Sequence, residues 1–310
     1  MIVSSSPHIH TPRTTRSVMA DVLIALAPAT VAAVVLFGLS ALWLVLTCTA
    51  AAVLSGFLFC LAVKKPHTVG DLSAAVTGLL LALNLPASTP LWQGALGAVF
   101  AVVAVKMLFG GIGKNFANPA IAARVMMLLA FTGPITATVW PQFADETLVS
   151  SATPLAVLGG AQGQLPALTD MLLGLRAGAI GETCGVALLA GFVYLLVRRV
   201  ITWHTPVIFV GTVFAFTLAV TGGDVQTATY HVLSGGLLIG AVFMATDYTT
   251  SPFTPWGKVI FAVGCGLITA VIRLYGSYPE GVSFAILCMN ILNPYIEKWT
   301  MRRPLGGAKA

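Results

Sequence analysis

Charge is what this sequence has least of. Asp, Glu, Lys and Arg together make up 8% of its 310 residues, against about 25% in a typical soluble domain. Hydrophobic residues make up 57%. A chain of this kind has too few charged groups to cover itself against water, so lipid is its expected solvent. Paired cysteines are missing too. Cys48, Cys60, Cys184, Cys265 and Cys288 form no Cys-x-x-Cys pair and lie in or beside apolar runs, where each reads as small core filler. An iron–sulfur cluster held by this chain alone is therefore not expected, nor is any other metal site; at most one or two thiolates could join a partner's ligands. There is no GxGxxG after a strand, no P-loop and no HExxH, so neither NADH nor ATP is bound through a recognisable motif. The net charge of +6 lies between the apolar runs. That placement orients a chain in a membrane and does not indicate nucleic acid.

What the sequence does have is a succession of apolar runs, each able to cross a bilayer core of about 30 Å. About ten spans are predicted, at 22–38, 41–63, 72–85, 92–109, 119–131, 180–197, 205–221, 231–245, 257–275 and 280–296. The stretch before Val22 carries Arg13 and Arg16 like a signal-peptide n-region, but the following runs favour an uncleaved first span. The whole of 1–310 reads as one integral membrane domain. Several spans are interrupted: Asn84-Leu85-Pro86 ends the third and Asn118-Pro119 precedes the fifth. Backbone groups freed at such breaks must be buried in protein or line a cavity.

Lys and Arg cluster on alternate connections. Arg13 and Arg16, Lys64 and Lys65, Lys114, Arg198 and Arg199, Lys258, and Lys298, Arg302, Arg303 and Lys309 fall on one side. Arg176 and Arg273 are the exceptions. By the positive-inside rule both termini are expected in the cytoplasm of a prokaryote, with the 132–174 loop on the outer face of its inner membrane.

The two halves, about 18–131 and 175–298, resemble each other. Leu72-Ser73, Trp92, Lys106 and Gly111–Lys114 in the first are matched by Leu233-Ser234, Trp256, Arg273 and Gly276–Pro279 in the second. Five spans per half make the second copy inverted, and inverted repeats with broken helices place binding sites or ion paths between the halves. Lys106, Arg124, Glu182, Arg273 and the Asp247-Tyr248 pair are the costly intramembrane polar groups. The three cations either face the interior or snorkel to headgroups. Asp247 either lines a pathway, caps a helix or pairs with Lys258. Asn115 and Asn118 either donate to a bound ring system or satisfy freed backbone. Tyr278 and Glu280 open the last span, where Glu280 also suits a helix N-terminus. Asn115, Asn118, Asp247, Tyr278 and Glu280 are the candidates for a second flavin site or an ion path; no catalytic residue is assigned.

The longest hydrophilic interruption holds Ser150-Ser151-Ala152-Thr153 before Pro154. Long loops in compact domains are usually functional or disordered; an ordinary turn is the alternative. Ser-x-Ala-Thr resembles the site at which a flavin transferase esterifies FMN phosphate onto threonine. Ser5–His10, Asp21–Leu26 with Pro28, Gly113–Ala120, Ser150–Leu155, Ala245–Pro252 and Tyr278–Leu287 occur in this order. Together they resemble the D component of the Rnf (or Rsx) ion-translocating electron-transport complex, a family related to the B component of the sodium-pumping NADH:quinone oxidoreductase. The resemblance covers nearly the whole chain. It implies an all-α polytopic fold like the inverted five-plus-five arrangement of urea transporters. It implies covalent FMN on Thr153, with Ser150, Ser151 and Ala152 as the transferase's recognition motif, and, by analogy, a noncovalent riboflavin near the broken helices. Its implied partners are the flavin-carrying and iron–sulfur subunits of the complex, a flavin transferase, and Na⁺ or H⁺. One departure is visible: Thr147 stands where the strict motif has an acid, with Asp145 and Glu146 just upstream. The competing reading is a solute channel or transporter of the same fold without a redox role.

Overall fold

The computed structural model describes residues 13–64, 69–141, 152–276 and 280–301. Among these residues the chain is helical, with no strand; Val139 and Gly178 form an isolated antiparallel bridge. Helix α1 runs from Thr15 to Ala62. Thr14 opens it, its hydroxyl accepting the Ser17 N–H while the Ser17 hydroxyl accepts the Thr14 N–H. An unbroken helix of 48 residues would be about 72 Å long, more than twice the bilayer core. Gly38 interrupts it with φ 69° and ψ −153°, a backbone conformation open to glycine. The first two predicted spans thus fall on the pieces 15–37 and 39–62.

The remaining helices are α2 (Ser73–Leu83), α3 (Leu91–Val99), α4 (Pro119–Ala130), α5 (Thr132–Thr136), α6 (Pro154–Leu158), α7 (Leu168–Leu173), α8 (Gly185–Val197), α9 (His204–Val220), α10 (Val225–Leu233), α11 (Leu237–Ile239), α12 (Pro255–Tyr275) and α13 (Val282–Thr300). Helix α3 continues as a π-helical stretch, Phe100–Met107, and α11 as another, Gly240–Met244. Among the described residues, only α1 and α12 are long and apolar enough to cross a membrane unaided; α10 with α11 and its π stretch would make a third, bent by 65°. Helices α2, α4, α8, α9 and the α3 unit are apolar but shorter. Large apolar side chains are exposed along α1 at Val31, Leu39, Leu54, Leu58 and Leu61, so the surface is oily where a soluble protein's would be polar.

The breaks are satisfied by one another. The sixth predicted span begins at Gly185 rather than 180, because 175–184 is a turn folded onto the end of α2. There the Ile180 and Gly181 N–H groups donate to the carbonyls of Leu85 (3.0 Å) and Leu83 (2.8 Å). A Cβ on Gly181 would sit 2.4 Å from the Leu83 Cβ, so this approach needs glycine. Asn118 caps α4, its Oδ1 accepting from Ala120 (3.0 Å) and Ile121 (3.3 Å), with Pro119 in the first helical position. Its Nδ2 donates to the Met244 carbonyl, 3.3 Å away at the end of the second π stretch.

Lys106 and Arg273, aligned between the halves in the sequence, each reach the aligned serine but through different atoms. Lys106 donates to the Ser73 hydroxyl, and Arg273 Nη2 donates to the Ser234 carbonyl at 3.1 Å. The π stretches do not follow this pattern: they lie in the fourth and eighth predicted spans, which are not counterparts. Among the described residues, one end of the molecule gathers Arg13, Arg199 and Lys258 from the alternate connections. Arg13 Nη1 donates to the Arg199 carbonyl, Lys258 to the Thr202 hydroxyl, and Thr254 and Thr300 share a hydrogen bond that sets the end of α13 beside the start of α12. The opposite end, about 30 Å along the first piece of α1, has Leu36 packed against Gly174 and the turn that follows.

Candidate functional site

Thr153 stands at this second end, half-buried, as the N-cap of α6. Its Oγ1 accepts the Ala156 N–H at 3.2 Å, Pro154 takes the first helical position, and Pro154 and Leu155 are buried. The side chain of Leu155 packs toward Gly235, at the bend between α10 and α11. Thr153 is thereby held at the rim of a cavity of about 390 Å³, lined also by Pro86, Arg124, Leu128, Glu182 and Glu280. This volume lies within the range of small-molecule sites, roughly 300–1,000 Å³. Ala152 lines it as well. Ser150 and Ser151 lie outside the described residues, as does Tyr278.

The cavity floor is charged. Arg124 on α4 is 6% exposed and donates through Nη2 to Glu280 Oε2 at 2.9 Å, an ion pair that joins the two halves. Glu182 accepts the Ala179 N–H at 3.0 Å and lies within electrostatic reach of Glu280 and Arg124. The backbone of Gly236 lies against both carboxylates: a Cβ there would be 2.8 Å from Glu280 Oε1 and 3.4 Å from Glu182 Oε2. Arg273 on α12 donates to the carbonyls of His231 and Ser234, which the end of α10 leaves free. Arg176, 1% exposed, donates to the carbonyls of Thr183 (3.3 Å) and Glu182. Of these three guanidinium groups, Arg124 alone pairs with a carboxylate in the cavity wall; Arg176 lies within electrostatic reach of Glu182, and Arg273 of Glu182 and Glu280, but neither lines the cavity. Among the described residues, Nε and Nη1 of Arg124 and Nε of Arg273 are buried without a hydrogen-bond partner. Buried orphans on a charged group cost about 1–3 kcal/mol or more each. A ligand rich in acceptors would relieve that cost.

Asn115, Asn118 and Asp247 are not part of this cavity. They line another, of about 100 Å³, together with Lys106 and Tyr248. Asn115 Nδ2 donates to the Ala117 carbonyl (3.2 Å) and the Thr249 hydroxyl (3.1 Å). Both asparagines therefore act on the breaks, tying 111–118 to 244–249. Asp247 accepts from the Thr249 N–H (3.2 Å) and hydroxyl (3.1 Å), while Lys258 donates elsewhere, to Thr202. Lys106 is held by Ser73, whose hydroxyl donates to Asp71. Lys106, Arg124 and Arg273 are 5%, 6% and 7% exposed, so none snorkels to a headgroup. The candidates drawn from the sequence are thus split: Glu280 belongs with Thr153, and Asn115, Asn118 and Asp247 belong together elsewhere. Arg176, read from sequence as a loop charge, is among the most buried side chains. The glycine-rich run around it, Gly174, Gly178 and Gly181, was the available signal.

The model of the NQR2, RnfD, RnfE family matches residues 2–306. The chain is 47% identical over 312 residues to the D component of the Na⁺-translocating ferredoxin:NAD⁺ oxidoreductase complex of Acetobacterium woodii, covering 100% of this chain and 96% of the relative. It is 39% identical over 314 residues to the D component of the proton-translocating ferredoxin:NAD⁺ oxidoreductase complex of Clostridium ljungdahlii, covering 96% and 94%. The D component of an ion-translocating oxidoreductase complex of Escherichia coli is 35% identical over 353 residues, with 99% of each chain covered. From end to end, then, this chain belongs to the NQR2, RnfD, RnfE family.

Proposed function

We propose that this chain is the membrane-embedded D component of an Rnf-type ion-translocating oxidoreductase complex. It carries FMN in phosphoester linkage to Thr153 and relays electrons between ferredoxin- and NADH-linked partners, coupled to movement of Na⁺ or H⁺. The names of its relatives support the complex and the two ions. The observation that carries the cofactor is the position of Thr153 on the rim of a cavity of about 390 Å³ whose buried Arg124 has unused donors.

The residues fit the group. Thr153 supplies the hydroxyl for the ester, and the burial of Pro154 and Leu155 fixes the point of attachment. Among the described residues, the only charged side chains that line the cavity are Arg124, Glu182 and Glu280, and the uncommitted donors of Arg124 suit an acceptor-rich occupant. When bound, FMN supplies one- and two-electron transfer; the protein supplies position and electrostatics. The flavin-carrying and iron–sulfur subunits of the complex would deliver and remove the electrons. A flavin transferase would read Ser150, Ser151 and Ala152. The end that gathers Arg13, Arg199 and Lys258 is assigned to the cytoplasm and the Thr153 end to the outer face of the cell membrane.

At about 100 Å³ the smaller cavity lies below the usual range for small-molecule sites. A noncovalent riboflavin there would need Lys106 or Tyr248 to move aside. The carboxylate of Asp247 and the carbonyls at the breaks suit a small cation better, and this end is assigned to the ion path.

The test is the denatured full chain from cells that express a competent flavin transferase. Wild type should fluoresce in the gel and Thr153→Val should not. The substitution removes one cap hydrogen bond, costing about 1 kcal/mol, so the variant should still insert. Fluorescence retained in the variant, or absent from wild type, would return the chain to the reading of a solute channel without a redox role.

A further inference from the structure

We infer that Arg124 sets the reduction potential of the flavin at Thr153, and that Glu280 restrains it from the opposite half of the chain. The inference rests on the flavin assignment and names the residue that tunes it. Arg124 lines the same cavity as Thr153, is 6% exposed, and spends only Nη2 on Glu280. Among the described residues Nε and Nη1 of this guanidinium have no partner. The other cations of the cluster are turned to backbone: Arg273 holds the carbonyls of His231 and Ser234, and Arg176 those of Glu182 and Thr183. Arg124 is thus the cation of the cluster that lines the cavity while keeping donors uncommitted, with Nε and Nη1 buried in its wall.

Its chemistry matches an isoalloxazine ring. The N1–C2=O edge of that ring presents acceptors side by side, which suits the planar fork of a guanidinium. Reduction places negative charge on the same edge. A cation held next to it in a poorly solvated site favours the reduced form and raises the potential. Glu280 opposes this effect, because its carboxylate neutralises part of the guanidinium charge and fixes its orientation. Arg124 is a positioning residue in this account and exchanges no electron itself.

The test is a spectroelectrochemical titration of the full-length chain, flavinylated in the host and purified in detergent. Arg124→Gln should lower the reduced-to-oxidised ratio at a fixed potential at least tenfold, which is about 30 mV for a two-electron couple. Glu280→Gln should move it in the opposite direction. Arg124→Lys keeps the charge and should stay within threefold of wild type. Opposite signs from the two partners of one ion pair would not arise from a merely structural role. If Arg124→Gln does not fold, Glu280→Gln and Arg124→Lys still decide. A flavinylated Glu280→Gln with the wild-type potential, or shifts of the same sign in both glutamine variants, would overturn the inference while leaving the FMN assignment standing. A wild-type chain without FMN on Thr153 would overturn both.

Discussion

The two cavities are built from the same parts and finished differently. Each is walled by broken helices and holds one buried cation, Lys106 in the smaller and Arg124 in the larger. They share no lining residue, yet Asn118 in one and Arg124 in the other stand on or beside the same helix, about 9 Å apart along its axis. In the smaller cavity, among the described residues, no buried polar side-chain atom lacks a partner. In the larger one the guanidinium nitrogens do. Buried polar groups are nearly always satisfied, so an unpaired guanidinium in a cavity wall calls for a partner, such as water or a ligand. The lesson is that polar residues at a break do one of two jobs, closing the backbone or addressing a ligand, and the hydrogen-bond inventory separates them.

The largest expected effect comes from breaking the ion pair on the open side. Arg124→Met strands Glu280 and should cost about 3 kcal/mol of stability, near the lower end for a buried pair because Glu280 is partly solvated. Lys106→Met on the closed side keeps the apolar stem but removes the Ser73 hydrogen bond and a charge near Asp71 and Asp247, with no direct ion pair broken, and should cost about 1–2 kcal/mol. Thermal unfolding of the two variants in the same detergent checks the contrast; equal losses would erase it. Next in size is Asn118→Leu. It removes the cap of α4 and the donor to the Met244 carbonyl, for a loss of about 1–3 kcal/mol. Ion-coupled turnover in the assembled complex should fall while covalent flavin stays intact. Unchanged turnover would show that the Asn118 contact serves packing alone. The smallest perturbation is topological. In a background without native cysteines, Gln162→Cys should react with an impermeant reagent in intact cells and Lys298→Cys should not. The reverse pattern would put the open cavity inside.

Much of this contrast was legible in the sequence, and what was not has physical reasons. The boundary between the first two spans fell at Gly38. The alternation of Lys and Arg picked out residues that the fold gathers at one end: Arg13, Arg199 and Lys258. The motif Ser150–Thr153 pointed to the end where the larger cavity lies. By contrast, Arg124 and Glu280 are 156 positions apart, and no local pattern announces such a pair. Local sequence could not choose between the two roles open to Asn115 and Asn118, because the choice depends on where Met244 and Thr249 arrive from the other half. The π stretches at Phe100–Met107 and Gly240–Met244 have an ordinary apolar composition, so hydropathy reads them as regular helix. Arg176 looked like a loop charge because its burial depends on the 175–184 turn folding onto α2.

The central claim is that the open cavity belongs to a flavin fixed at Thr153. Mass spectrometry of the peptide containing residues 147–169, from protein made beside a competent flavin transferase, addresses it directly. The account predicts one FMN added with loss of water, located on Thr153 and not on Thr147, Ser150 or Thr169. An unmodified peptide, or FMN on one of those other hydroxyls, would contradict it.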